Sequence, residues 1–177
     1  MSLISSSTAV NFLAINCPDF EASSYPVEIA LALANGRHYH AWIKPMSDRL
    51  APKLSDKMQR AVELYGKYPD QVCNELNVLA GGSNLYCDHW GFTSTWLENL
   101  YFAACVDKKF ICSPIECLLE DDEQANWNQR KQFVLDVLKA EDYSASSQVE
   151  VMQAVVNLFY RGSEDHVQRA RSSLVLQ

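Results

Sequence analysis

The first apolar block of the chain, Ala9-Val10-Asn11-Phe12-Leu13-Ala14-Ile15, is almost unbroken, as expected of a strand buried on both faces. After a polar, proline-containing loop, Val27-Glu28-Ile29-Ala30-Leu31-Ala32-Leu33 repeats the pattern. Asn35-Gly36 then marks a hairpin, because both residues tolerate the positive φ of tight reversals. Tyr39-His40-Ala41-Trp42-Ile43 is the expected return strand, stopped by Pro45. These three segments predict an antiparallel meander.

The period then changes. Residues 55–65 are compatible with a helix, and Val72, Leu76 and Leu79 recur at helical spacing over 71–80. Asp70 is the expected N-cap of that second helix and Gly81-Gly82 its stop. Asn84 to Cys87 is a short strand candidate. Thr93 or Ser94 is then expected to cap a helix that carries Trp96, Leu97, Leu100, Tyr101 and Ala104 on one face. Phe110 to Cys112 is a further short strand. Residues 122–140 and 146–160 are long amphipathic segments, and a last helix is expected from about Asp165 to Leu174. Hairpin-linked strands followed by strands separated by helices imply an α/β fold: a mixed five-stranded sheet, three antiparallel strands then two parallel, flanked by helices. No linker, repeat or low-complexity tract interrupts residues 1–177, so one domain is expected.

Composition narrows the function classes. With 48% hydrophobic residues the chain is of the globular class. No apolar run approaches the ~20 residues that span a bilayer, so no membrane partner is expected. The N-terminal apolar stretch has no basic region before it and is read as strand, not signal peptide. Six cysteines, none in a C-x-x-C and most in apolar surroundings, point to reduced, buried thiols and a cytoplasmic setting. His38 and His40 share a strand face, but no cysteine pair completes a zinc site. The net charge of −7 weighs against tight binding to phosphate backbones, which basic patches normally provide. Basic residues cluster only at Lys44 to Lys57, Arg130-Lys131 and Arg161 to Arg171. Without a bound metal to supply positive charge, at most weak affinity for single-stranded nucleic acid or a nucleotide is expected.

Local sequence adds a resemblance. Asn11-Phe12-Leu13-Ala14-Ile15-Asn16, then residues 25–33 and the hairpin ending Ala41-Trp42-Ile43-Lys44-Pro45, resemble the opening of the DEDDh-type 3′–5′ exonucleases, of the ribonuclease H-like superfamily. Residues 85–97 (LYCDHWGFTSTWL) resemble the second motif of that family, and His166 to Arg171 the third. The resemblance covers almost the whole chain. It implies a ribonuclease H-like sheet and metal-dependent removal of nucleotides from a single strand of DNA or RNA. In the family the first strand ends in Asp-x-Glu, the middle helix begins Phe-Asp-x-x-aromatic-Leu, and a histidine is followed five residues later by Asp. The four carboxylates hold two Mg2+ or Mn2+ ions roughly 4 Å apart, and the histidine serves as general base. Oxygen donors suit these hard cations.

Carried over on the register of the first strand, the motif decays. Asn16 and Pro18 take the positions of the first two acids, Thr93 that of the third and Arg171 that of the fourth. Only His166 is retained, as candidate general base, and Arg171 places a cation where two cations would bind. This register implies a catalytically impaired or inactive exonuclease-like domain with no metal cofactor. A rival register reads Asp19-Phe20-Glu21 as the Asp-x-Glu and Asp88 as the middle acid. It makes Asp19, Glu21 and Asp88 metal ligands of an active exonuclease with His166 as base. Strand length favours the first: at ~3.3 Å per residue Asp19 lies up to ~10 Å past Asn16, and Pro18 ends the ladder. A third possibility is a protein-interaction module, for instance a homodimer joined through an apolar helix face. Each residue also has a plainer reading. Asp19, Glu21 and Glu28 can be solvated carboxylates, Asp88-His89-Trp90 a structural turn, and His166 a surface histidine near a helix start. Cys17 lacks a paired base and reads as a packed thiol, and Trp96, Leu100 and Tyr101 read as core.

Overall fold

The computed structural model describes residues 10–46, 54–139 and 144–161. Its strands are β1 (Asn11–Asn16), β2 (Glu28–Ala32), β3 (His38–Trp42), β4 (Asn84–Cys87) and β5 (Ile111–Pro114). Its helices are α1 (Asp56–Tyr65), α2 (Pro69–Ala80), α3 (Trp90–Ala104), α4 (Asp121–Leu138) and α5 (Ala145–Arg161). The strands form one sheet in the order β3-β2-β1-β4-β5. β2 runs antiparallel to β1 and β3, whereas β4 is parallel to β1 and β5 to β4. This is the expected α/β architecture: a mixed five-stranded sheet, three antiparallel strands then two parallel, flanked by helices.

β1 lacks alternation because its two faces serve two cores. Leu13 and Ile15, with Ile29, Leu31 and Leu85, face Val72 and Leu76 of α2 and Trp96, Leu97 and Leu100 of α3. Phe12 and Ala14, with Ala30 and Ala32, face Val134 of α4 and Val149, Met152 and Val155 of α5. Each large side chain so buried contributes ~1.5–3 kcal/mol. The alanines on the second face let α5 lie across both β1 and β2.

Local chemistry shifts several boundaries. The β2–β3 hairpin turns through three residues, closed by the Leu33 N–H bond to the Arg37 carbonyl, with Gly36 at φ 81°. α2 starts at Pro69, ahead of the expected Asp70 cap: proline has no N–H to leave orphaned, and the Gln71 side chain accepts from the Tyr68 N–H (3.2 Å). Asp70 instead sits in the first turn, where its charge suits the helix dipole. α3 starts at Trp90, not after Thr93 or Ser94, because His89 adopts a left-handed conformation (φ 51°) that begins the helix early. The Thr93 hydroxyl then donates to the Asp88 carbonyl (3.1 Å) and does not cap. β5 lies slightly later than Phe110 to Cys112, since Phe110 turns into the core. The helix expected from Asp165 lies outside the described residues. Among the described residues no helix is long and apolar enough to cross a membrane.

Candidate functional site

β1 ends at Asn16, directly opposite Glu28 in the antiparallel ladder. The Asn16 amide nitrogen donates to Glu28 Oε2 (2.7 Å), and its oxygen accepts from the Gln148 amide in the first turn of α5. Glu28 is almost wholly buried, its side chain 2% exposed. Its Oε2 also accepts the Ala145 N–H at the start of α5 (3.0 Å), and its Oε1 lies 2.8 Å from His40 Nε2 on β3. A chain of amide, carboxylate and imidazole therefore ties β1, β2 and β3 to the N-terminus of α5. A buried carboxylate demands such partners, and the helix dipole adds to their attraction. The plainer reading of Glu28 as a solvated strand-end carboxylate is thereby corrected.

Beside Asn16 opens a cleft of about 280 Å³, lined by Asn16, Phe20, Asp88, Thr93, Trp96 and Gln148 among others. A second hollow of about 270 Å³ lies on the other flank of Asn16, against Glu28, Trp42, Lys57 and Ser144. In the first cleft Asp88 is already engaged. Its Oδ2 pairs with the Lys131 ammonium of α4 and its Oδ1 accepts the His89 N–H (3.0 Å), with the Asp88 and Lys131 side chains only 15% and 14% exposed. Burial pushes the Asp88 carboxyl up, but the Lys131 hydrogen bond and charge, helped by His89, hold it below its ordinary value. Burial likewise pushes the Cys17 thiol up to about 12, against a hydrogen bond with Ser24 and aided by the Asp19 charge. Cys17 is thus a packed thiol and no ready nucleophile.

Asn16 and Thr93 meet at this cleft, and Pro18 follows β1 in the loop above it. Asp19 and Glu21 are exposed on that same loop, while Asp88 faces Lys131. Among the described residues no three His, Cys, Asp or Glu side chains gather so as to hold a metal ion. His166 and Arg171 lie outside the described residues. The neutral amides and hydroxyl of Asn16, Gln148 and Thr93, with Asp88 committed to an ammonium, do not fit the pair of divalent cations the resemblance implies. Trp96, Leu100 and Tyr101 are core, as expected. Sequence reasoning missed Gln148, Lys131 and the bonded role of Glu28. Only Glu28 carried a signal, as a lone charge inside an apolar run.

No protein-family model and no curated protein sequence matches the chain. Among solved structures it is similar to the Mopeia virus exonuclease domain soaked with alendronate, at 14% identity and a TM-score of 0.43, over 78% of this chain and 62% of that one. The chain thus spans less than two thirds of that domain. It is also similar to a Mopeia virus exonuclease domain depleted of manganese (13% identity, TM-score 0.44, covering 88% of this chain and 78% of that one). A third likeness is to a structure of the yeast NOT1 MIF4G domain co-crystallised with CAF1 (7% identity, TM-score 0.48, covering 94% of this chain and 80% of that one). At such identities the similarity concerns the path of the chain and not its chemistry.

Proposed function

We propose that the chain is an exonuclease-like domain that does not hydrolyse phosphodiesters through a two-metal site and uses the cleft at Asn16 for binding. The observation that carries this reading is the state of Asn16. A neutral amide stands where β1 ends, held on one side by Glu28 and on the other by Gln148. Two-metal hydrolysis needs carboxylates there to concentrate positive charge and generate hydroxide. The carboxylate that does line this cleft, Asp88, is neutralised by the Lys131 ammonium.

The same geometry supports a revised third motif. The first turn of α5 reaches the end of β1, so Gln148 takes the place of the last acid, in preference to Arg171. On this register the interval to the family histidine falls on Tyr143, which like His166, the other candidate for that position, lies outside the described residues. Asp19 and Glu21 are left as surface carboxylates. The test is incubation of the purified chain with Mn2+ or Mg2+ and 5′-labelled single-stranded DNA or RNA. No shortening of the strand is expected. Metal-dependent shortening abolished by Asp88→Asn or His166→Ala overturns the proposal.

A further inference from the structure

The loop between β1 and β2 holds a large apolar side chain out in solvent at a fixed place. Phe20 is 68% exposed, yet the residues after it are fastened to α3. The Trp96 indole N–H donates to the Glu21 carbonyl (2.8 Å), and the Asn99 amide donates to the Ala22 carbonyl (3.0 Å). One flank of the Phe20 ring is supported by others: Phe92 and Trp96 at 5.8 Å each and His89 at 6.1 Å, between ring centroids. Phe92 and His89 are themselves exposed. An exposed aromatic cluster already locked in place loses little entropy on binding, which is the character of an interface anchor.

Charge identifies the partner. Asp19 and Glu21 flank Phe20, both exposed and neither ion-paired with a described residue. Among the described residues, no Lys or Arg lines the cleft under Phe20. The Lys131 ammonium that borders it is bound to Asp88, and the chain carries a net −7. A phosphate arriving here meets carboxylates and the negative faces of aromatic rings. A cation meets two attractions of the same sign. An alkyl stem ending in a cationic head satisfies the apolar and acidic parts of the surface together.

We propose that the Phe20 ridge and its cleft receive an arginine or lysine side chain from a basic segment of a partner polypeptide. This rests on the cleft being a binding site and not a hydrolytic one. The stem lies against Phe20 and Phe92 and the head meets Asp19 and Glu21. The test is calorimetric titration of the full chain, in metal-free buffer, with hexa-arginine, its neutral isostere hexa-citrulline and a short oligothymidylate. Hexa-arginine is expected to bind at least about tenfold more tightly than hexa-citrulline, and oligothymidylate not to bind. Phe20→Ala, and separately Asp19→Asn with Glu21→Gln, are each expected to weaken hexa-arginine about tenfold without altering the thermal melt. Equal affinity in these variants marks diffuse attraction to an acidic surface and overturns the proposal. So does oligothymidylate binding that Phe20→Ala abolishes, which makes the ligand a nucleic acid. Strand shortening in manganese with the Phe20-dependent affinity intact defeats the non-hydrolytic reading alone. Absence of both shortening and that affinity defeats this proposal alone.

Discussion

Replacing Glu28 by alanine tests the bonding that joins the sheet to α5. The carboxylate accepts from Asn16 and from the Ala145 N–H and faces His40, with its side chain 2% exposed. Hydrogen bonds to a charged group net ~1.5–3 kcal/mol each, and a donor left buried without a partner costs ~1–3 kcal/mol. These terms overlap, and deleting the buried charge returns part of its desolvation cost. The balance for losing one partner of such a set is ~3–5 kcal/mol. At ~2–4 °C per kcal/mol for a domain of this size, Tm falls by roughly 6–20 °C. Glu28→Gln keeps the shape and one acceptor, so its cost is lower, ~1–3 kcal/mol. Urea unfolding followed by circular dichroism, with the m value checked for two-state behaviour, measures both. A loss below ~1 kcal/mol for Glu28→Ala at an unchanged m value refutes the claim that this network fastens α5. Combining Glu28→Gln with Gln148→Ala closes a double-mutant cycle, in which coupling through Asn16 of ~0.5–3 kcal/mol is expected.

Three other outcomes follow from the geometry. Because the folded Asp88 carboxyl is held below its ordinary value of 3.8, its pair with Lys131 contributes full stability above that pH. That contribution is lost as pH falls through the lower folded value, so Asp88→Asn flattens the acid limb of a stability–pH curve measured by urea unfolding. Tyr101→Phe removes a hydroxyl that donates to the Cys73 carbonyl (3.2 Å) and the Asn77 side-chain oxygen (3.1 Å), and is expected to cost ~1 kcal/mol in the same assay. Burial pushes the Cys17 and Cys73 thiols up to about 12, so iodoacetamide at neutral pH should label the exposed Cys105 and Cys117 well before either. Time-resolved mass spectrometry reads the order.

The fold was legible wherever one residue's neighbours on the chain are also its neighbours in space. The unbroken run of β1 reported a strand with a core on each face, and Asn35-Gly36 reported the reversal between β2 and β3. The start of α3 was misplaced because Thr93 and Ser94 look like caps, while the left-handed backbone of His89, which no glycine at that position announces, set the boundary. The site was less legible because its partners are remote. Asp88 was visible as a candidate acid, but Lys131, which neutralises it, lies 43 residues away. Gln148 sits in the plain polar run Ser146-Ser147-Gln148, and only the docking of α5 brings it to Asn16, 132 residues earlier. The middle residue of Asp19-Phe20-Glu21 drew no notice in a motif defined by its acids, since its exposure depends on a bond from Trp96.

The position of α5 also sets a timetable. The face made by Phe12, Ala14, Ala30 and Ala32 is closed by a helix whose first residue is bonded to Glu28 across 117 positions. At ribosomal rates of ~5–20 residues per second, a nascent chain emits Ala145 roughly 6–23 seconds after Ala32. Throughout that interval a hydrophobic sheet face stands open, and contacts of such long sequence separation form late. Newly made protein therefore passes through an incomplete sheet prone to association with other chains. A chain stalled before Ala145 should collect in aggregates or on chaperones, even though its other core, between the sheet and α2 and α3, is already complete.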